Sequence, residues 1–121
     1  MINKIYFLST CDTCRKIMKE IGATEHGFEL QDIKKEPITE QELDAMKEKA
    51  GSYEALFSRK SQQYKALGLA EKTLTEADYK KYILEHYTFL KRPVVAYQGK
   101  LFIGNDKRVI EDLIIELMPN H

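Results

Sequence analysis

The period of the hydrophobic positions changes several times along this chain, and each change marks an element. Residues 4–10, KIYFLST, are aliphatic, aromatic and β-branched with almost no charge, which predicts a buried strand of a parallel sheet. From Asp12 the spacing becomes helical. Cys14, Ile17, Met18 and Ile21 fall at i, i+3, i+4 and i+7, and Gly22 stands where such a helix would end. Residues 26–33, HGFELQDI, place Phe28 and Leu30 among polar neighbours and predict a second strand. Strand, helix and strand in this order predict a right-handed βαβ unit.

The middle of the chain is charged and reads as helical throughout. Thr39 with Glu42 has the spacing of a capping box, and Ile38 and Leu43 are placed to staple across it. That helix is expected to stop before Gly51. A shorter helix is expected over residues 62–67, closed by Gly68. Another is expected from Thr75, with Leu74 and Tyr79 in staple positions and Tyr79, Tyr82 and Ile83 as its apolar face. The region is too long for a simple crossover, so residues 36–90 are expected to form a helical insertion packed beside the sheet.

Sheet signals return in RPVVAYQGKLFIG. Val94, Val95 and Ala96, then Leu101, Phe102 and Ile103, predict two short strands joined through Gln98-Gly99. Asn105 is expected to cap a last helix with the stripe Val109, Ile110, Leu113, Ile114 and Leu117, ended near Pro119. The order is βαβ, helical block, ββα. Without the block this is a thioredoxin-like α/β fold, a four-stranded mixed sheet flanked by helices, here built from residues 1–35 and 91–121.

Composition narrows the function classes. The chain has 121 residues, 43% hydrophobic and 31% charged, the profile of one globular domain. Lys plus Arg and Asp plus Glu balance at 19 each, so no broad attraction to nucleic acid or membrane is expected. No apolar run approaches a membrane span, and the first residues lack the pattern of a secretion signal. A cytoplasmic setting is therefore expected, where a permanent structural disulfide would be unusual.

The two cysteines of the chain, Cys11 and Cys14, stand three residues apart at the start of the first helix. Cys11 falls where strand gives way to helix, among unpaired backbone N–H groups at the positive end of the helix dipole, and both favour thiolate. Arg15 and Lys16 add positive charge within a turn, and Asp12 opposes them. Cys14 shares the apolar stripe with Ile17 and Met18 and should be more buried. Cys11 is then expected to attack and Cys14 to resolve the adduct as a disulfide. Two other readings of the pair are half a zinc site and two small core residues. A zinc site needs two more ligands, and His26, His86 and His121 are not spaced as a ligand pair. No metal and no bound cofactor are expected. A C-x-x-C beside a βαβ pattern points to redox chemistry.

Arg92 precedes Pro93, and an X-Pro bond is the one most able to be cis. A cis proline faces the cysteine motif in thioredoxin-like folds. Pro93 in that place would carry Arg92 close to Cys11, with Arg15 approaching from the helix and Arg59 or Lys60 from the insertion. Guanidinium groups around a thiolate would seat an oxyanion or a carboxylate of glutathione.

CDTCRK, RKSQQYKALGL and LKRPVVAYQGKLFIG, in that order, resemble the ArsC/Spx family of thioredoxin-fold proteins over nearly the whole chain. The family includes glutathione- and glutaredoxin-coupled arsenate reductases, ArsC-like reductases and Spx-type transcriptional regulators. The resemblance implies Cys11 as the nucleophile, Arg92 as an anion-binding arginine, and Arg59 or Lys60 as a second. A third arginine is implied near Gly104, where this chain has none. Cys14 is shared with the Spx regulators, which use a C-x-x-C as a redox switch, and Asp12-Thr13 resembles the ArsC-like reductase branch. Two functions are thus implied. One is an ArsC-like thiol oxidoreductase acting on a small anionic or glutathione-linked substrate, with glutathione or glutaredoxin as reductant. The other is a redox-sensing regulator that binds RNA polymerase.

Overall fold

A computed structural model describes residues 2–118. Its elements are β1 (Lys4–Phe7), α1 (Asp12–Glu20), β2 (Glu29–Asp32), α2 (Glu40–Ala50), α3 (Gln62–Ala66), α4 (Glu76–Glu85), β3 (Val94–Tyr97), β4 (Lys100–Ile103) and α5 (Lys107–Leu117), with three short 3₁₀ turns between α2 and β3. The chain divides into two compact units: Pro37–Lys91, and the flanking segments on either side of it.

The flanking unit holds a four-stranded sheet in the order β2-β1-β3-β4. β1 runs parallel to β2 and antiparallel to β3, and β3 pairs antiparallel with β4. The sheet is mixed and thioredoxin-like, as its element order predicts. Ile5 and Val95 lie opposite each other in register and share one core with Ile17 of α1, its C-cap Ile21, Phe28, and Leu113 and Leu117 of α5. Burying these side chains is what fixes α1, and so both cysteines, against the sheet.

Both early strands are shorter than their apolar runs suggest. β1 stops at Phe7 because the Leu8 carbonyl accepts the Cys11 N–H at 3.0 Å, a turn rather than a ladder bond. β2 begins only at Glu29. The amides of His26, Gly27 and Phe28 bond back to Gly22, Thr24 and Ala23, with Gly27 at φ +71°. Gln98 and Gly99, both at positive φ, make the tight turn of the β3–β4 hairpin. Asn105 does not cap α5. Asp106 is the N-cap, and the Asn105 amide instead donates to the Arg92 carbonyl at 3.4 Å. Pro119 lies outside the described residues.

The inner unit follows its local signals closely. Thr39 and Thr75 close full capping boxes with Glu42 and Asp78, and Gly51 ends α2 in the left-handed conformation. α3 starts at the Ser61 cap and ends one residue earlier than its pattern suggests, at Ala66. The unit is not wholly helical. Phe57 and Leu90 form an antiparallel bridge, flanked by Ser58 N–H to Phe89 O (2.7 Å) and Lys91 N–H to Leu56 O (2.8 Å). Phe57 stacks on Phe89 with centroids 5.2 Å apart and meets Tyr79 at 4.9 Å, the aromatic centre of this unit.

Candidate active site

β1 and β2 are parallel, so their carboxyl ends lie side by side, and the chain leaving β1 turns directly into α1. Cys11 occupies that turn as the N-cap residue of α1, with extended backbone dihedrals. Its thiol is half-buried, whereas the Cys14 thiol, one turn into the helix, is fully buried. Both are free thiols. The Cys11 side chain makes no capping bond by strict geometry. The Cys14 N–H nevertheless lies near enough to favour the thiolate, as expected of an orphan amide at a helix start.

The two sulfurs are driven apart electrostatically. Partial burial opposes ionisation of Cys11, but the Cys14 N–H, the Cys14 thiol and the Arg92 guanidinium outweigh it and bring the Cys11 pKa below the ordinary thiol value. Cys14 is pushed up to about 12, first by burial and then by the charge and hydrogen bond of Cys11. The Leu8 amide and Arg92 offset this only in part. The site is therefore a half-exposed thiol whose thiolate is favoured, beside a buried thiol that stays protonated.

Arg92 reaches Cys11 from the loop before β3, across a cis peptide to Pro93. The Asn105 bond to its carbonyl and the Gly104 N–H to the Pro93 carbonyl (2.9 Å) hold that loop from the β4–α5 turn. Arg15 is directed elsewhere. Its guanidinium bonds the Ser9 carbonyl at 3.0 Å and pairs with the exposed Asp12 carboxylate. Arg59 belongs to the inner unit, where it pairs with Glu54 (2.8 Å), bonds the Tyr79 hydroxyl (3.0 Å) and lies over the Phe57 and Tyr79 rings. The neighbouring Lys60 side chain is exposed, and its amide bonds Ser58 Oγ at 3.4 Å.

One residue of the site was absent from the sequence reading. Asp32, the last residue of β2, faces the turn that carries Cys11: its Oδ1 accepts the Ser9 N–H at 3.5 Å and the Lys34 N–H at 3.1 Å. The available signal was its position at the carboxyl end of a strand expected to run parallel to β1, where α/β folds gather functional groups. Among the described residues no cluster of three or more His, Cys, Asp or Glu side chains could hold a metal ion. His121 lies outside them.

Comparison with known proteins agrees with this architecture. The chain is 30% identical over 104 residues to the uncharacterized protein YusI of Bacillus subtilis (strain 168), covering 82% of this chain and 86% of that one. It superposes on an arsenate reductase from Vibrio cholerae with a TM-score of 0.76 at 20% identity, covering 98% of each chain, a likeness of fold. An arsenate reductase (ArsC) related protein from Brucella melitensis gives 0.70 at 25% identity, covering 93% of each. The ArsC family model matches residues 6–113, from β1 into α5, and the chain belongs to the ArsC family.

Proposed function

We propose that this protein is a thiol oxidoreductase of the arsenate-reductase type, with Cys11 as the attacking thiolate and Cys14 as the resolving thiol. The observation that carries the reading is the split between the two sulfurs: Cys11 half-exposed with its thiolate favoured, Cys14 buried and held protonated one turn away. On a disulfide substrate the Cys11 thiolate attacks one sulfur, a mixed disulfide forms, and the other half leaves as thiolate. Cys14 then attacks the Cys11 sulfur as it gives up its proton. The second half leaves, and the protein holds a Cys11–Cys14 disulfide, oxidised by the two electrons the substrate gained. Arg92 beside Cys11 supplies the fork for an anionic group on the substrate, an oxyanion or a glutathione carboxylate. Arg15 would contribute only after leaving Asp12.

Glutathione or glutaredoxin in a reducing cytoplasm is the reductant this reading calls for. Among the described residues no helix is long and apolar enough to cross a membrane. The test is steady-state reduction of arsenate and of glutathione mixed disulfides, with glutathione and glutaredoxin supplied, by wild type and Cys11→Ser. Turnover on either substrate that Cys11→Ser abolishes supports the proposal. No turnover on both, together with capture of RNA polymerase by the oxidised protein, would replace it with a redox-sensing regulator.

A further inference from the structure

The main chain between β1 and α1 carries the nucleophile, and its polar groups are tied one after another. The Leu8 carbonyl accepts the Cys11 N–H, the Ser9 carbonyl accepts the Arg15 guanidinium, and the Ser9 N–H goes to Asp32. Asp32 stands apart in this set because it comes from another strand, 23 residues on in sequence, and because it brings a negative charge. Its second oxygen, Oδ2, is shut away from solvent and accepts no hydrogen bond from any described residue. An ionised oxygen in that state is costly, and an asparagine could serve the Lys34 turn without it.

We propose that Asp32 is a positioning residue for the nucleophile: its carboxylate clamps Ser9, and through Ser9 holds the turn in which the Cys11 sulfur meets the Cys14 N–H and Arg92. The inference rests on the reading of Cys11 as the reactive thiol. The carboxyl is held below its ordinary value first by the Ser9 hydroxyl, then by the Lys34 and Ser9 amides and the Lys35 charge, against a cost of burial. The Ser9 hydroxyl and amide thus both favour the ionised Asp32 carboxyl. The groups that chiefly set the ionisation of Cys11 are Cys14 and Arg92. The influence of Asp32 on that thiol passes through the loop, and it opposes the direct repulsion between two negative charges.

That opposition of sign makes the test decisive. Cys11 alkylation by iodoacetamide is followed against pH by peptide mass spectrometry, with both cysteines present, in wild type, Asp32→Asn, Asp32→Ala and Ser9→Ala. Loosening the clamp should raise the alkylation midpoint and slow labelling at pH 7 by about threefold to tenfold in Asp32→Ala, through the smaller thiolate fraction. Asp32→Asn, which keeps an acceptor, and Ser9→Ala should move the same way by less. A residue that merely stabilises the fold would lower the melting temperature and leave the midpoint in place. Folded variants with the wild-type midpoint overturn the proposal, and so does a lowered midpoint in Asp32→Asn, the signature of direct repulsion. Should Asp32→Ala not fold, the other two variants decide the matter by the same criteria. Preferential labelling of Cys14 in wild type would overturn the underlying assignment instead, and the Cys11 midpoints would still report on Asp32.

Discussion

Removing the Arg92 side chain should raise the Cys11 pKa and slow its reactions, by an amount the site allows one to work out. Arg92 acts on the Cys11 sulfur by charge and by hydrogen bond. A hydrogen bond to a charged group is worth about 1.5–3 kcal/mol. Cys11 is half-exposed, so solvent screening takes back at least half and leaves about 1 kcal/mol. At about 1.4 kcal/mol per tenfold, the thiolate fraction falls and alkylation below the midpoint slows about fivefold. Arg92→Lys keeps the charge and loses the fork, and should fall between wild type and Arg92→Ala. Turnover should suffer more than alkylation, because an anionic substrate also loses its partner. A donor aimed at developing charge contributes on the order of 3 kcal/mol, about a hundredfold in rate. The assay is the pH profile of Cys11 labelling in the three proteins, with circular dichroism as a folding control. A folded Arg92→Ala with the wild-type midpoint would refute the electrostatic argument for this site.

Other consequences follow from the fold and from Cys14. Thr39→Ala opens the capping box of α2 and should cost about 1 kcal/mol in urea unfolding, with the slope unchanged. Leu113→Ala empties a fully buried position in the core beneath the sheet and should cost about 3 kcal/mol by the same measurement. Cys14 is held protonated up to about 12, whereas an unfolded thiol ionises near 9. The unfolded chain thus gives up its proton first as pH rises, and this part of the stability, complete below pH 9, is lost progressively towards pH 12. The fall in urea midpoint between pH 8 and pH 10.5 should be steeper in wild type than in Cys14→Ala; equal slopes would show that Cys14 titrates normally.

What could be read in the sequence was what local chemistry decides. The box at Thr39 needs only residues three apart and forms as its spacing predicts, and the helix expected from Thr75 starts there, with a box to Asp78 that the structure adds. The ends of β1 and β2 depend on which carbonyl meets which amide after the chain has turned, and there the apolar runs overreach. Asn105 has the composition of a cap, but Asp106 takes that place and the Asn105 amide goes to the loop carrying Arg92. Cys11, Cys14 and Arg92 were legible because spacing and a following proline mark them. Asp32 was not, since an aspartate at a strand's end looks like any surface aspartate until parallel pairing sets it beside the Cys11 turn. Arg15 shows the converse: its charge was visible in the sequence, whereas its engagement with Asp12 and the Ser9 carbonyl emerges only from the folded turn.

The central claim is the division of labour between the two thiols, and one single-turnover experiment with oxidised glutathione tests it most directly. Reduced wild type and Cys14→Ser are mixed with the disulfide, quenched with acid, and their peptides weighed. The account predicts that Cys14→Ser stops as a glutathione mixed disulfide on Cys11. Wild type should release both glutathione molecules and carry an intramolecular Cys11–Cys14 disulfide, two hydrogens lighter than the dithiol. Glutathione found on Cys14 of the wild type, or a wild-type mixed disulfide at Cys11 that never resolves, would contradict it.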